Sequence, residues 1–191
     1  MTSASNASED ARPIEKIRLA TTSLGGCFGC HMSLLDIDER LLQLIEHVTF
    51  DRSPLTDIKT FGVCDIGIVE GGVCNAENVH VLREMRRQCK VLVAIGACAI
   101  NGGLPAWRNS LALGDLMGEV YSEARGNTGG VKLDDPELAL LLDKVHPIGE
   151  VVRVDYFIPG CPPSGDAIWK ILTDLIAGRT PWLDHDQLRF D

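Results

Sequence analysis

Val91-Leu92-Val93-Ala94-Ile95-Gly96-Ala97-Cys98 is the stretch whose reading decides the fold. Val91 to Ile95 is apolar without interruption, as expected of a strand covered on both faces and so belonging to a parallel sheet. A glycine and a cysteine follow at once. The same order, an apolar run and then a Gly- or Pro-containing turn with cysteine, recurs at both ends of the chain. Lys16 to Thr22 reads as a first strand and leads into Gly25-Gly26-Cys27-Phe28-Gly29-Cys30. Val151 to Ile158 reads as another and leads into Pro159-Gly160-Cys161-Pro162-Pro163. Loops just past the strand ends are where an open parallel α/β sheet gathers its ligands.

Between these runs the pattern is helical. From Ser33, Leu34, Leu35, Leu41, Leu42 and Ile45 fall at helix spacing. Val63 to Val69 reads as a strand closed by Glu70-Gly71-Gly72, and Asn75 can cap a helix running to about Gln88. Leu111 to Ser122 is expected to contribute a helix and 126–130 a mobile loop. Asp135-Pro136-Glu137 has the form of a helix start, with a cap, a proline in the first turn and an early acid. Ser164 can cap a last helix with Ile168, Ile171, Leu172, Leu175 and Ile176 on one face, ended by Gly178. Strands alternating with helices imply right-handed crossovers and helices on both faces of the sheet. The expected fold is a flavodoxin-like doubly wound α/β domain over 15–191, preceded by a disordered tail, 1–14.

The chain has 191 residues, enough for one sizeable core, and ordinary globular composition, with 45% hydrophobic and 24% charged residues. Its formal net charge of −9 argues against nucleic acid or an anionic membrane as partner. The basic knot around Arg83, Arg86, Arg87 and Lys90 falls at a helix end, where cations complement the dipole. No apolar stretch reaches the ~20 residues that span a bilayer, and the polar N-terminus has neither a secretory core nor a twin arginine. A cytoplasmic location is expected. Cysteines there are metal ligands or buried thiols more often than disulfides.

Cys27, Cys30, Cys98 and Cys161 share the same kind of position, and a cubane iron–sulfur cluster can draw its four thiolates from distant parts of a sequence. Structural zinc usually employs two compact knuckles, whereas only one C-x-x-C occurs here. A thioredoxin-like pair would account for Cys27 and Cys30 but leave Cys98 and Cys161 unexplained. Glycine lets backbone N–H groups approach cluster sulfides closely, and Pro162 and Pro163 stiffen the turn after Cys161. The reading is therefore one 4Fe–4S cluster on these four residues. Cys64 and Cys89 are expected to be small buried hydrophobes, and Cys74 faces the same crevice with a lesser claim to ligation. His31 is expected behind the cysteines or at an interface, and the remaining histidines lack ligand spacing. Trp107, Trp169 and Trp182 are expected as core or interface anchors.

These motifs, over almost the whole ordered length, resemble the small subunit of nickel–iron hydrogenases and the related cluster subunit of respiratory complex I. The pattern is C-x-x-C after the first strand, then Glu70-Gly71-Gly72, Gly96-Ala97-Cys98 and Pro159 to Pro163. The stretch Gly26 to Asp36 looks most like the small subunits of cytoplasmic NAD-reducing (bidirectional) hydrogenases. The resemblance implies a proximal 4Fe–4S cluster on Cys27, Cys30, Cys98 and Cys161, linking the Ni–Fe site of a partner large subunit to an iron–sulfur and flavin diaphorase module that reduces NAD. Hydrogen cleavage would belong to the partner, whose ligands are two C-x-x-C pairs. Complex I members carry adjacent cysteines at the first motif, so the spaced pair here is the hydrogenase form. A quinone-reducing subunit and a stand-alone electron carrier remain the alternatives. Many respiratory members have glutamate where this chain has Met32, which makes Glu70 the better candidate for a proton relay, with a solvated loop carboxylate as the alternative reading. Thr21-Thr22-Ser23-Leu24-Gly25-Gly26 somewhat resembles a flavodoxin phosphate loop, but the loop must also present Cys27 and Cys30, so bound FMN is not expected on this chain. No dinucleotide or Walker loop is present.

Overall fold

In the computed structural model, residues 16–126 and 135–188 are described; the tail 1–14 and most of the 126–130 loop lie outside them. Five parallel strands form the main sheet: β1 (Ile17–Ser23), β2 (Val48–Phe50), β3 (Cys64–Glu70), β5 (Cys89–Ile95) and β7 (Tyr156–Ile158). Their spatial order is β2-β1-β3-β5-β7. Ranked by position in the chain this is 2-1-3-4-5, the flavodoxin-like order, with its switch point between β1 and β3. The expected fold class is borne out.

Alternating side chains send the sheet's two faces into two cores. Leu19, Ile68, Val93, Ile95 and Ile158 pack with the helices α1 (Gly29–Leu35), α2 (Arg40–His47) and α6 (Gly165–Ile176). Ala20, Val69, Leu92 and Ala94 pack with α3 (Ala76–Gln88) and α4 (Gly96–Asn101). Because every central strand is buried on both sides, the runs are continuously apolar, as the sequence suggested. The expected caps are in place: Asn75 accepts from Asn78 N and Ser164 from Ala167 N.

Four local expectations are corrected. The helix expected from Ser33 starts at Gly29 and breaks near Asp38, whose φ is +54°, so the leucine spacing belongs to two helices. Asp135-Pro136-Glu137 opens a turn: Asp135 Oδ1 accepts from Glu137 N and its carbonyl from Leu138 N. The same short acid that caps helices also closes turns. The chain then runs as β6 (Leu141–His146), antiparallel to β4 (Val73–Asn75). Asn109 holds β6 from its other side, accepting from Val145 N (2.7 Å) and donating to Val145 O (2.8 Å). Edge pairing thus overrides the helix propensity of Glu137 to Leu142. Of the strand expected over Val151 to Ile158, only Tyr156–Ile158 pairs; Val151 and Val152 close a 3-10 turn on Ile148.

Finally, Cys64 and Cys89 are disulfide-bonded rather than free thiols. They open β3 and β5 as register partners, with Cα atoms 4.6 Å apart, so the sheet itself brings their sulfurs together. The helix expected over Leu111 to Ser122 is present as α5 (Leu113–Met117) running into a π-helical stretch, Gly118–Glu123.

Candidate functional site

The strands β1, β3, β5 and β7 all release their chain at one end of the sheet, where Cys27 lies in the turn after β1, Cys30 in the first turn of α1, Glu70 at the end of β3 before Gly71 and Gly72, Cys98 in α4, and Cys161 in the turn after β7. Cross-links between turns set the mouth. Gly25 and Gly72 exchange both backbone hydrogen bonds, at 2.9 and 2.8 Å, and Ala97 N donates to Gly160 O at 2.8 Å. Gly71 makes the first possible: its φ is +85°, and a Cβ there would stand 2.8 Å from the Leu24 carbonyl carbon. Gly96, at φ +84°, leaves room for the Cys30 sulfur, which would lie 2.3 Å from a Cβ on that residue.

Cys30 and Cys98 feel the neighbouring cysteines. Burial, then Glu70 and the neighbouring Cys98 and Cys27, hold the Cys30 thiol far above its ordinary value. Burial also raises Cys98, with Cys161 and Cys27 adding to it while the Leu104 backbone amide pulls it down. Cys27 and Cys161 are exposed at the rim, and Cys30 and Cys98 are half-buried. Among the described residues no three His, Cys, Asp or Glu side chains stand close enough to hold a single metal ion. A four-iron cubane spreads its thiolates more widely than the tetrahedron around one zinc, whose sulfurs stand ~3.8 Å apart at ~2.3 Å from the metal. An all-thiol donor set drawn from three turns, with backbone N–H groups nearby, fits an iron–sulfur cluster.

Cys74 stands apart from this group. Its sulfur approaches Gly72 O at 3.6 Å and fills the space beside Gly25, where a Cβ would meet it at 2.1 Å.

Behind the cysteines lies a buried polar chain. Glu70 and His31 are each only 2% exposed. Ser23 Oγ donates to Glu70 Oε1 at 2.7 Å, and His31 N donates to Oε2 at 3.2 Å. His31 Nδ1 faces Oε1 at 3.1 Å, an ion-pair distance without hydrogen-bond alignment, and is buried with no hydrogen-bond partner. With Nδ1–H toward the carboxylate, Nε2 accepts from Thr21 Oγ1 at 2.9 Å, and Ser53 completes the chain at 2.7 Å from Thr21. Burial pushes the Glu70 carboxyl up, but His31 and Ser23 outweigh it and leave it below the ordinary carboxylate value. Glu70 is therefore not a solvated loop acid. His31 stands behind the cysteines, one of the two places expected for it, and Met32, next along α1, is exposed.

Thr21, Ser53 and Phe28 are residues that sequence reasoning missed. Thr21 and Ser23 were legible only as part of a phosphate-loop-like run; their hydroxyls are committed to His31 and Glu70. Of the tryptophans, Trp169 packs against the first core under Arg40, whereas Trp107 (76% exposed) and Trp182 (63%) stand at the surface.

A five-stranded parallel sheet whose strand ends present four free cysteines at one mouth defines an α/β protein of flavodoxin-like order with a thiol-lined site. The chain belongs to the family of the NADH ubiquinone oxidoreductase 20 Kd subunit, whose pattern matches residues 27–175. It is 48% identical over 180 residues to the NAD-reducing hydrogenase HoxS subunit delta of Cupriavidus necator, covering 92% of this chain and 86% of that one. The crystal structure of an NAD+-reducing nickel–iron hydrogenase in the H2-reduced state contains a chain 61% identical to it. The two superpose with a TM-score of 0.91 over 93% of this chain and 100% of the other. A subunit of the F420-non-reducing hydrogenase of Methanothermobacter marburgensis is 38% identical over 169 residues, and the match spans 86% of this chain but only 54% of that longer protein. No helix among the described residues is long and apolar enough to cross a membrane.

Proposed function

We propose that this chain is the electron-transfer small subunit of an NAD-reducing nickel–iron hydrogenase, with Cys27, Cys30, Cys98 and Cys161 holding one proximal 4Fe–4S cluster. The observation that carries this reading is the gathering of those four thiols at one mouth of a sheet shared with a hydrogenase chain at 61% identity. When bound, such a cluster accepts and releases one electron at a time.

The chain's own residues supply the holding and the docking. Cys30 and Cys98 are half-buried against the protein, while Cys27 and Cys161 meet the rim, where partner chains would close over them. The Leu104 amide is aimed at the Cys98 sulfur, the type of contact that tunes a cluster's potential. Glu70 gives its oxygens to Ser23 and His31, and we assign it to shaping the mouth in preference to proton relay. Near Cys98, Leu104 and Trp107 stand exposed on a 3-10 segment and Leu111 just after it, apolar side chains suited to the large, Ni–Fe-bearing subunit. Electrons would pass from that partner to a diaphorase module carrying iron–sulfur clusters and FMN, where NAD is reduced. Similarity to a hydrogenase acting on NAD supports a cytoplasmic setting, with 15–191 acting as one unit.

The test is anaerobic isolation of the chain with its native partners and assay of hydrogen-dependent NAD reduction. Activity in wild type, lost in Cys98→Ser, supports the reading. Bound iron and sulfide without any hydrogen uptake contradicts it and favours a quinone-linked subunit or a free carrier.

A further inference from the structure

The turn between Cys27 and Cys30 contains an arrangement that ligation alone does not explain. Phe28 adopts φ +67° and ψ +6°, left-handed backbone that a bulky side chain rarely occupies. Such a conformation persists where its surroundings hold it. Here the Phe28 ring lies flat on the His31 imidazole, with centroids 4.7 Å apart and planes inclined by 4°. That imidazole is itself fixed: Glu70 faces Nδ1, Thr21 Oγ1 meets Nε2, and Ser53 backs Thr21. Glu70 also receives the His31 backbone amide, tying the first turn of α1 to the end of β3.

We propose that Phe28 and His31 are positioning residues for the cluster: the His31 ring, clamped by Thr21 and Glu70, is the platform that holds Phe28 left-handed and so fixes the separation of the Cys27 and Cys30 sulfurs. This rests on the 4Fe–4S reading above. The clamp is built from β1, β3, α1 and the turn containing Ser53, and none of its side chains is one of the four cysteines. Outer partners that orient ligands typically change metal retention by about 10- to 100-fold when removed.

The experiment uses the anaerobically purified complex and follows the reducible cluster signal that Cys98→Ser abolishes. Phe28→Leu keeps an apolar side chain and loses the stack; Thr21→Val keeps the shape and loses the hydroxyl on His31. Both are expected to shift the signal's midpoint potential, broaden its spectrum and release iron to a chelator about 10-fold faster than wild type. Phe28→Tyr, which restores the stack, is expected to match wild type in all three. Wild-type potential, spectrum and chelator resistance in Phe28→Leu and Thr21→Val would overturn the proposal while leaving the cluster reading intact. If Phe28→Leu does not assemble, the outcome in Thr21→Val decides. Absence of any signal dependent on Cys98 in the wild-type complex would overturn both.

Discussion

Gly96 leaves the space that the Cys30 sulfur occupies: a Cβ on Gly96 would stand 2.3 Å from Cys30 Sγ. A residue that opens α4 directly after β5 thereby shapes the start of α1 after β1, across the width of β3. With φ at +84°, Gly96→Ala adds roughly 1–2 kcal/mol of backbone strain to that collision. The expected outcome is a folded but less stable chain that retains little iron, checked by melting temperature and iron content together. Wild-type iron in this variant would mean that Cys30 is free to move without consequence.

Trp107 gives a prediction about association. Exposed at 76% beside Leu104 and Leu111, it contributes little to the chain's own core. Aromatic anchors of this kind commonly contribute about 2 kcal/mol or more to an interface. Trp107→Ala should therefore weaken association with the large subunit by roughly 30-fold while leaving the chain's melting temperature within about a degree of wild type. Sedimentation or titration binding measurements on the two subunits would read this directly.

The Cys64–Cys89 disulfide lies at the start of β3 and β5, the opposite end of those strands from the cysteine mouth. It closes a loop of 25 residues, for which chain entropy alone gives about 3 kcal/mol. The Cys64→Ala/Cys89→Ala pair should lower the denaturation midpoint yet keep the wild-type iron and sulfide content. Loss of cluster in the double variant would show that the two ends of the sheet are coupled.

Asp155 supplies a pH dependence. Arg86 Nη1 and the Leu92 amide reach its Oδ2 at 2.6 and 2.8 Å. Burial pushes this carboxyl up, but those two contacts outweigh it and leave it below the ordinary value. A depressed native value means that the stabilisation is fully present above about pH 4 and is lost as pH falls through that lower value. Solvent screening limits it to about 1 kcal/mol. The stability gap between wild type and Asp155→Asn should accordingly shrink from pH 6 to pH 3 in thermal melts. A gap independent of pH would assign the contact no electrostatic role.

The sheet and the candidate cysteines were legible in the sequence for the same reason. Strands buried on both faces read as unbroken apolar runs, and the cysteines sit directly after them in glycine- and proline-containing turns. What stayed hidden depends on pairing across the fold. β6 looks helical until β4 and Asn109 claim its backbone, and Cys64 and Cys89 look like isolated thiols until the register sets them side by side. Thr21 and Ser53 belong to one hydrogen-bonded chain only because the turn after β2 folds onto β1, where Thr21 N donates to Arg52 O. No periodicity marks such a contact.

The most direct test of the central claim is the iron and acid-labile sulfide of the anaerobically purified complex in wild type, Cys98→Ser and Cys74→Ser. Cys98→Ser is predicted to lose about four iron and four sulfide per complex, with the matching reducible signal, because one cubane is held by this chain. Cys74→Ser, whose sulfur is turned toward Gly72 and Gly25, should keep them all. Unchanged iron in Cys98→Ser, or an equal loss in Cys74→Ser, would contradict the assignment of Cys27, Cys30, Cys98 and Cys161 as the ligand set.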